Sequence, residues 1–398
     1  MTDFNELKKR CEETRLISAT VVDEFLIYYA AAKDKLDKEF DQRISRFKKI
    51  QQDLPGELVR RLKSQYIAHR IFKKGGLITK YLNHVALKDL RQNEIEYLRL
   101  MAVHSWKFSF SEIVSNPAPD FWMMEDIFTS EQFLLYSPAV SCTVSEEQYI
   151  TWFNMVSFNG YCWQSYGPVA GYQTFDIDDI FFYATELFPD ISSDEDLLEN
   201  IELNPVPYMM LIAGSISPRI MNGSHEIVQL AGEGDEAPFD KSKFRDFDVE
   251  YASSVYRISH ALFSDFPHLA ELFYDEKSRR LILFASTEYG YAEMRDLLAL
   301  LGYTIPTTPE LRVHLPMIEL LERAFGKKVE VNPFHKLFGD SDGRSEAIDM
   351  MIELTEMVIR YTNVGLEPDA EKIAEEIGVD VETAKKLIAV VMSKTMLL

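Results

Sequence analysis

Between Ala19 and Gln52 apolar residues return every three or four positions, at Leu26, Tyr29, Leu36, Phe40, Ile44 and Phe47, with long charged side chains between them. That spacing predicts one amphipathic helix, ended by Pro55-Gly56. A second helix carries Leu58, Leu62, Tyr66 and Ile67 toward Lys74 and stops at Gly75-Gly76; shorter helices follow near Leu77 to Leu87 and Gln92 to His104. No strand is expected in this region. At Trp106 the period changes to short runs rich in β-branched and aromatic residues: FSFSEIV, DFWMMEDIF, EQFLLYS, TWFNMVSF and YCWQSYG. Turn pairs punctuate them, among them Asn116-Pro117, Ser137-Pro138, Asn159-Gly160 and Gly167-Pro168. About five strands so closely spaced predict a small antiparallel barrel from Lys107 to Tyr172.

Beyond the barrel, Asp176 to Leu187 and Asp194 to Glu202 read as acidic helices, with Asp176 or Asp178 suited to a helix start. Tyr208 to Ser215, Glu226 to Gly232 and Leu281 to Ser286 read as strands, and Tyr291 to Leu301 as a helix. Val249 to Leu262 keeps helical spacing at Tyr251, Val255, Ile258 and Leu262 and is assigned to a helix. Helices are expected again over Leu311 to Phe325, Ser345 to Tyr361, Asp369 to Ile377 and Val381 to Ser393. The predicted class is α+β multidomain: a helical domain over 1–105, a small β-barrel over 106–173, a mixed α/β module over 174–305 and a helical C-terminal unit over 306–398.

Charge adds asymmetry to this layout. The chain has 398 residues and a net charge of -22, yet Gln42 to Lys107 holds 15 basic against 5 acidic residues. Such a block fits a helical domain docked on the acidic remainder of its own chain, with a polyanion surface as the rival reading. Three cysteines, Cys11, Cys142 and Cys162, are too few for a disulfide framework or a four-thiolate zinc site. The opening MTDFNELKKR lacks an apolar core of signal-peptide length, and no apolar run approaches the ~18 residues of a membrane span. A cytoplasmic protein without a membrane partner is expected.

Two local resemblances can be named. The segment FSFSEIVSNPAPDFWMMEDIFTSEQFLLYSP resembles the small barrel of bacterial proteins associated with SEC-C motifs, although the cysteine-rich metal motif of those proteins is absent. That resemblance implies a barrel and no activity. The terminal AEKIAEEIGVDVETAKKLIAVV resembles a generic helix-turn-helix over 369–393, with Gly378 in the turn. Lys385, Lys386 and Lys394 lie on its second helix, the one that would enter a groove. Residues 344–398 hold 6 basic and 11 acidic residues, however, a poor balance for phosphate neutralisation.

Candidate chemistry is thin. Trp152 and Trp163 belong to an aromatic cluster that either fills the barrel or cradles a ligand, and the lack of Lys or Arg between Lys107 and Arg219 favours filling. Cys162 precedes a tryptophan, as in papain-like proteases, but it is expected on a strand and lacks the helix N-terminus that activates a thiol. Ser215 and Ser217 miss the glycines of a nucleophile elbow. Asp340-Ser341-Asp342-Gly343 fits a helix cap better than a calcium loop. His260 and His268 do not share a helix face, and no phosphate-binding glycine fingerprint occurs.

No metal site and no cofactor are expected. The leading reading is a non-catalytic interaction or regulatory protein whose partner is another protein. The alternatives are a nucleic-acid-binding regulator using residues 42–107 or the terminal helix pair, and an enzyme with its site between the barrel and the α/β module.

Overall fold

The computed structural model describes residues 3–144, 149–215, 217–264, 267–338 and 367–382, together with 354, 357, 358, 361, 384, 385, 388 and 389. The fold is α+β and multidomain, and it divides into two compact units. One comprises Met1–Pro218 with Leu320–Lys328; the other comprises Arg219–Glu319 with Val329–Leu398. Among the described residues no helix is long and apolar enough to cross a membrane.

The first unit opens with helix α1 (Phe4–Ser18), a π-helical segment (Ala19–Leu26), and helices α2 (Ile27–Asp34), α3 (Leu36–Ile44) and α4 (Lys48–Asp53). The expected single helix is therefore broken. Lys35 adopts φ +56°, a left-handed conformation that costs a residue with a Cβ roughly 1–2 kcal/mol. The break holds because Asp34 is fixed on both sides by Tyr81 Oη and Lys80 Nζ, each at 2.5 Å, which local periodicity could not report. Helices α5 (Gly56–Phe72), α6 (Ile78–Leu82) and α7 (Gln92–Val103) follow as expected.

Strands β1 (Lys107–Ala118), β2 (Phe121–Asp126), β3 (Gln132–Tyr136), β4 (Thr151–Phe158) and β5 (Trp163–Tyr172) close a barrel in the order β1-β2-β3-β5-β4. A short helix α8 (Pro138–Thr143) links β3 to the segment before β4. All neighbours are antiparallel except at the closing seam. There β3 and β5 run parallel and pair only at Leu135–Trp163 and Tyr136–Gln164. The interior takes one apolar side from every strand, for example Ile113, Met124, Leu135, Trp152 and Val169. Outside, Gln65 on α5 donates to the carbonyls of Tyr166 (2.8 Å) and Pro168 (3.0 Å), where a bulge at Gly167 bends β5. Helices α9 (Ile177–Leu187), α10 (Asp194–Leu203) and α11 (Pro205–Met210) follow. Asp176 caps α9 by accepting from Asp178 N and Asp179 N. The expected strand over Tyr208 to Ser215 is instead helical, because Pro205 at the first helical position and Pro207 set helical φ and a helix buried all round loses its polar stripe.

In the second unit, β6 (Met221–Asn222) and β7 (His225–Glu226) form a small hairpin. Strands β8 (Val228–Glu233), β9 (Asp248–Ala252), β10 (Val255–Ser259), β11 (Ala270–Asp275), β12 (Arg280–Ala285) and β13 (Leu311–His314) make an antiparallel sheet in the order β13-β8-β12-β11-β10-β9. Helix α12 (Glu288–Leu300) packs Tyr291, Met294 and Leu298 on one face. Val249 to Leu262 is a hairpin and not a helix. Its turn places Ser253 and Ser254 at φ +52° and +70°, a conformation usually announced by Asn or Gly, so the Ser-Ser pair gave no signal. Leu311 to His314, expected as a helix start, pairs with β8 as an edge strand, and helix α13 (Leu315–Phe325) begins only after it. Helix α14 (His335–Phe338) follows. Near the C-terminus, helix α15 (Ala370–Ile377) is capped by Asp369 and ends at Gly378 with φ +80°. Ile373, Ala374, Ala384 and Ile388 are buried there.

Candidate functional site

A constellation of chemically active side chains in the first unit lies where α1 covers the closing seam of the barrel. Asp3 starts the helix by accepting from Asn5 N and Glu6 N. Phe4, Leu7 and Cys11, spaced three and four apart, then form one face. That face packs on Phe121 and Tyr136 of β2 and β3 and on Cys162 just before β5. Polar contacts frame it. Lys8 Nζ lies 2.6 Å from Asp120 Oδ2, Tyr136 Oη donates to Glu12, and the Arg10 guanidinium stands 4.4 Å from the centre of the Tyr161 ring.

At the middle of this contact Cys11 Sγ and Cys162 Sγ are 3.4 Å apart, with both cysteines unbridged. The residues are 0% and 1% exposed. Cys162 ends a tight turn over Asn159–Cys162, in which Asn159 N donates to Cys162 O at 3.0 Å and Gly160 takes φ +94°. Asn159 Oδ1 accepts from Tyr161 N and Cys162 N, each at 2.9 Å, which closes an Asx turn. Because that oxygen must face two N–H donors, the orientation of the amide is determined. Asn159 Nδ2 then points at Gln164 Oε1 (2.8 Å), Cys11 Sγ (3.3 Å) and, more weakly, Cys162 Sγ (3.8 Å).

The two thiols are inequivalent. The hydrogen bond from Cys162, opposed by burial and reinforced by Asn159, holds the Cys11 thiol below its ordinary value. Donation to Cys11, together with burial, pushes the Cys162 thiol far up. The arrangement is two sulfurs within about 1.4 Å of the separation of a disulfide bond, with the Asn159 amide donor nearer to Cys11. The chemistry that two sulfurs so placed can support is thiol oxidation.

Apart from Cys162, the residues singled out from sequence fall elsewhere. Trp152 is buried in the barrel interior with its ring 4.9 Å from that of Tyr149. Trp163 is half-buried, edge-on to Phe133 and Phe158, with Lys107 Nζ 5.2 Å from the centre of its ring. Lys385 is exposed in the second unit, whereas Lys386 and Lys394, like Asp340 to Gly343, lie outside the described residues. His260 accepts from Leu262 N at its own short turn, and His268 Nδ1 meets Thr287 Oγ1 at 3.0 Å. Cys162, expected on a strand, instead closes the turn that precedes β5. Sequence reasoning missed Cys11, which sits 151 residues away and shares no pattern with it. No protein-family model matches the chain, and neither a curated protein nor a solved structure is similar to it.

Proposed function

We propose that the chain is a non-catalytic regulatory protein, acting through a protein partner, whose state is set by oxidation of the Cys11–Cys162 pair. The observation that carries this reading is the 3.4 Å contact between two buried sulfurs on α1 and at the barrel seam. In the reduced state α1 is held by a small apolar face, by polar contacts at its rim and by the hydrogen bond from Gln164 to the Cys11 carbonyl, non-covalent interactions that a competing partner can replace. In the oxidised state a covalent bond ties residue 11 to residue 162, and α1 can no longer leave. The surface a partner meets then differs between the two states.

The polyanion reading has less support. Within the basic block Arg43 and Arg70 turn to Glu39 at 3.2 and 3.7 Å, and Lys63 turns to Asp41 at 2.6 Å, so part of the positive charge is spent on the chain's own acidic segment. The test is equilibration of the full chain for hours in glutathione buffers of stepped potential, followed by non-reducing peptide mapping. A Cys11–Cys162 peptide that appears and disappears reversibly with potential is expected. Sulfurs that stay unbridged, or pair with Cys142 between molecules, refute the proposal.

A further inference from the structure

We infer that the oxidant this pair takes is a small peroxide, hydrogen peroxide in the simplest case, with Cys11 as the sulfur oxidised first and Cys162 as the sulfur that resolves it. The inference rests on the dithiol switch proposed above. Access is the first ground. Both sulfurs lie under α1, at 0% and 1% exposure. A disulfide oxidant such as oxidised glutathione must bring its own sulfur into line with the attacking one, which requires α1 to lift away. A peroxide brings two oxygen atoms and needs only a transient gap.

Geometry assigns the order. Asn159 Nδ2 is 3.3 Å from Cys11 Sγ and 3.8 Å from Cys162 Sγ, and the two sulfurs are 3.4 Å apart, so the amide donor stands nearer to Cys11. Negative charge is therefore better received on Cys11, in agreement with the lowered thiol there. Asn159 is a positioning residue: its oxygen is held by two backbone N–H groups, so its nitrogen stays aimed at the sulfurs.

The sequence of events balances. The Cys11 thiolate attacks one peroxide oxygen, an S–O bond forms, the O–O bond breaks, and hydroxide leaves, taking up a proton to become water. Cys11 is then a sulfenic acid. Cys162 Sγ attacks the Cys11 sulfur; the S–S bond forms, the S–O bond breaks, and the thiol proton of Cys162 leaves with the hydroxyl as a second water. Two thiols and one peroxide give one disulfide and two waters, and a thiol reductant such as glutathione, which like its disulfide must await local opening at the seam, returns the pair slowly.

The experiment uses the full chain carrying Cys142→Ser, which removes the exposed cysteine. Disulfide formation is timed with equal concentrations of hydrogen peroxide and of oxidised glutathione, and sulfenic acid is trapped with dimedone. Peroxide should act at least tenfold faster than oxidised glutathione. Cys162→Ala should collect the dimedone adduct on Cys11, and Cys11→Ala should leave Cys162 unlabelled. Asn159→Asp keeps the turn acceptor and loses the donor, so it should slow the peroxide reaction about tenfold. If either cysteine variant fails to fold, rapid quenching of the parent chain gives the same order, with Cys11 labelled before the disulfide appears. Equal or faster reaction with oxidised glutathione, or a first adduct on Cys162, overturns this inference and leaves the dithiol switch standing. No disulfide with either oxidant, even at equilibrium, removes both.

Discussion

Gln164 and Asn159 clasp each other directly beneath the first helix: Gln164 Oε1 accepts from Asn159 Nδ2 at 2.8 Å while Gln164 Nε2 donates to the backbone carbonyl of Cys11 at 3.0 Å. One buried side chain thus orients the amide that faces the sulfurs and also pins the helix that carries one of them. Gln164→Ala should remove the oxygen acceptor of the buried Asn159 amide and one of the donors to the Cys11 carbonyl. A loss of about 1–3 kcal/mol in denaturant unfolding is expected, the usual cost of an unsatisfied buried polar group. The reduced chain should also become more open to alkylation at Cys11.

The bulge in β5 supplies a second prediction. Gly167 has φ +76°, and a Cβ there would lie 2.9 to 3.0 Å from the side chain of Gln65, which bridges the two flanking carbonyls. Gly167→Ala combines left-handed strain with displacement of that bridge, so it should cost roughly 2–4 kcal/mol in chemical denaturation. Gln65→Ala alone should cost less, because the glycine conformation survives.

In the second unit Arg257 and Glu271 form a buried pair, with Arg257 Nη2 2.7 Å from Glu271 Oε1 and His335 Nε2 3.4 Å from Glu271 Oε2. Burial by itself raises the Glu271 carboxyl, but the hydrogen bonds from His335 and Arg257 outweigh it and hold the group at about 2, against an ordinary 4.5. A depressed folded-state value means stability that is complete above about pH 5 and is lost as pH falls from 4.5 toward 2. Stepped-pH denaturation of this unit should lose on the order of 3 kcal/mol across that window. Glu271→Gln should lower stability near neutrality by about 3 kcal/mol and flatten the acid limb.

The tryptophans separate by burial. Trp152→Ala removes a side chain enclosed by the barrel and should cost ~3–5 kcal/mol, whereas Trp163→Ala, half-buried, should cost distinctly less. Equal losses in thermal or denaturant unfolding would contradict the packing described for the barrel.

Much of the barrel was legible because its signals are local. Asn159-Gly160 marks a turn wherever it stands, whereas Gly167-Pro168, expected as a turn, is a bulge inside β5. The failures have equally local reasons. Lys35 and the Ser253-Ser254 pair adopt left-handed backbone without glycine or asparagine, held by tertiary contacts or by a hairpin, so periodicity ran through them unbroken. The sulfur pair was beyond reach for a different reason. Neither Cys11 in an amphipathic helix nor Cys162 at a turn is unusual alone, and only folding brings residues 151 apart within 3.4 Å.

A switch must change the protein as well as its thiols, so the most direct measurement is hydrogen exchange of the full chain, reduced and oxidised, read peptide by peptide. A Cys11–Cys162 bond closes a loop of about 150 residues, which in the chain-entropy picture removes on the order of 5 kcal/mol from the unfolded ensemble. Exchange in Phe4–Ser18 and at the seam over Gln132–Tyr136 and Trp163–Tyr172 should slow markedly on oxidation, while the sheet strands Ala270–Asp275 and Arg280–Ala285 keep their rates. A disulfide that forms with no change of exchange in the first helix would contradict a regulatory role for the pair.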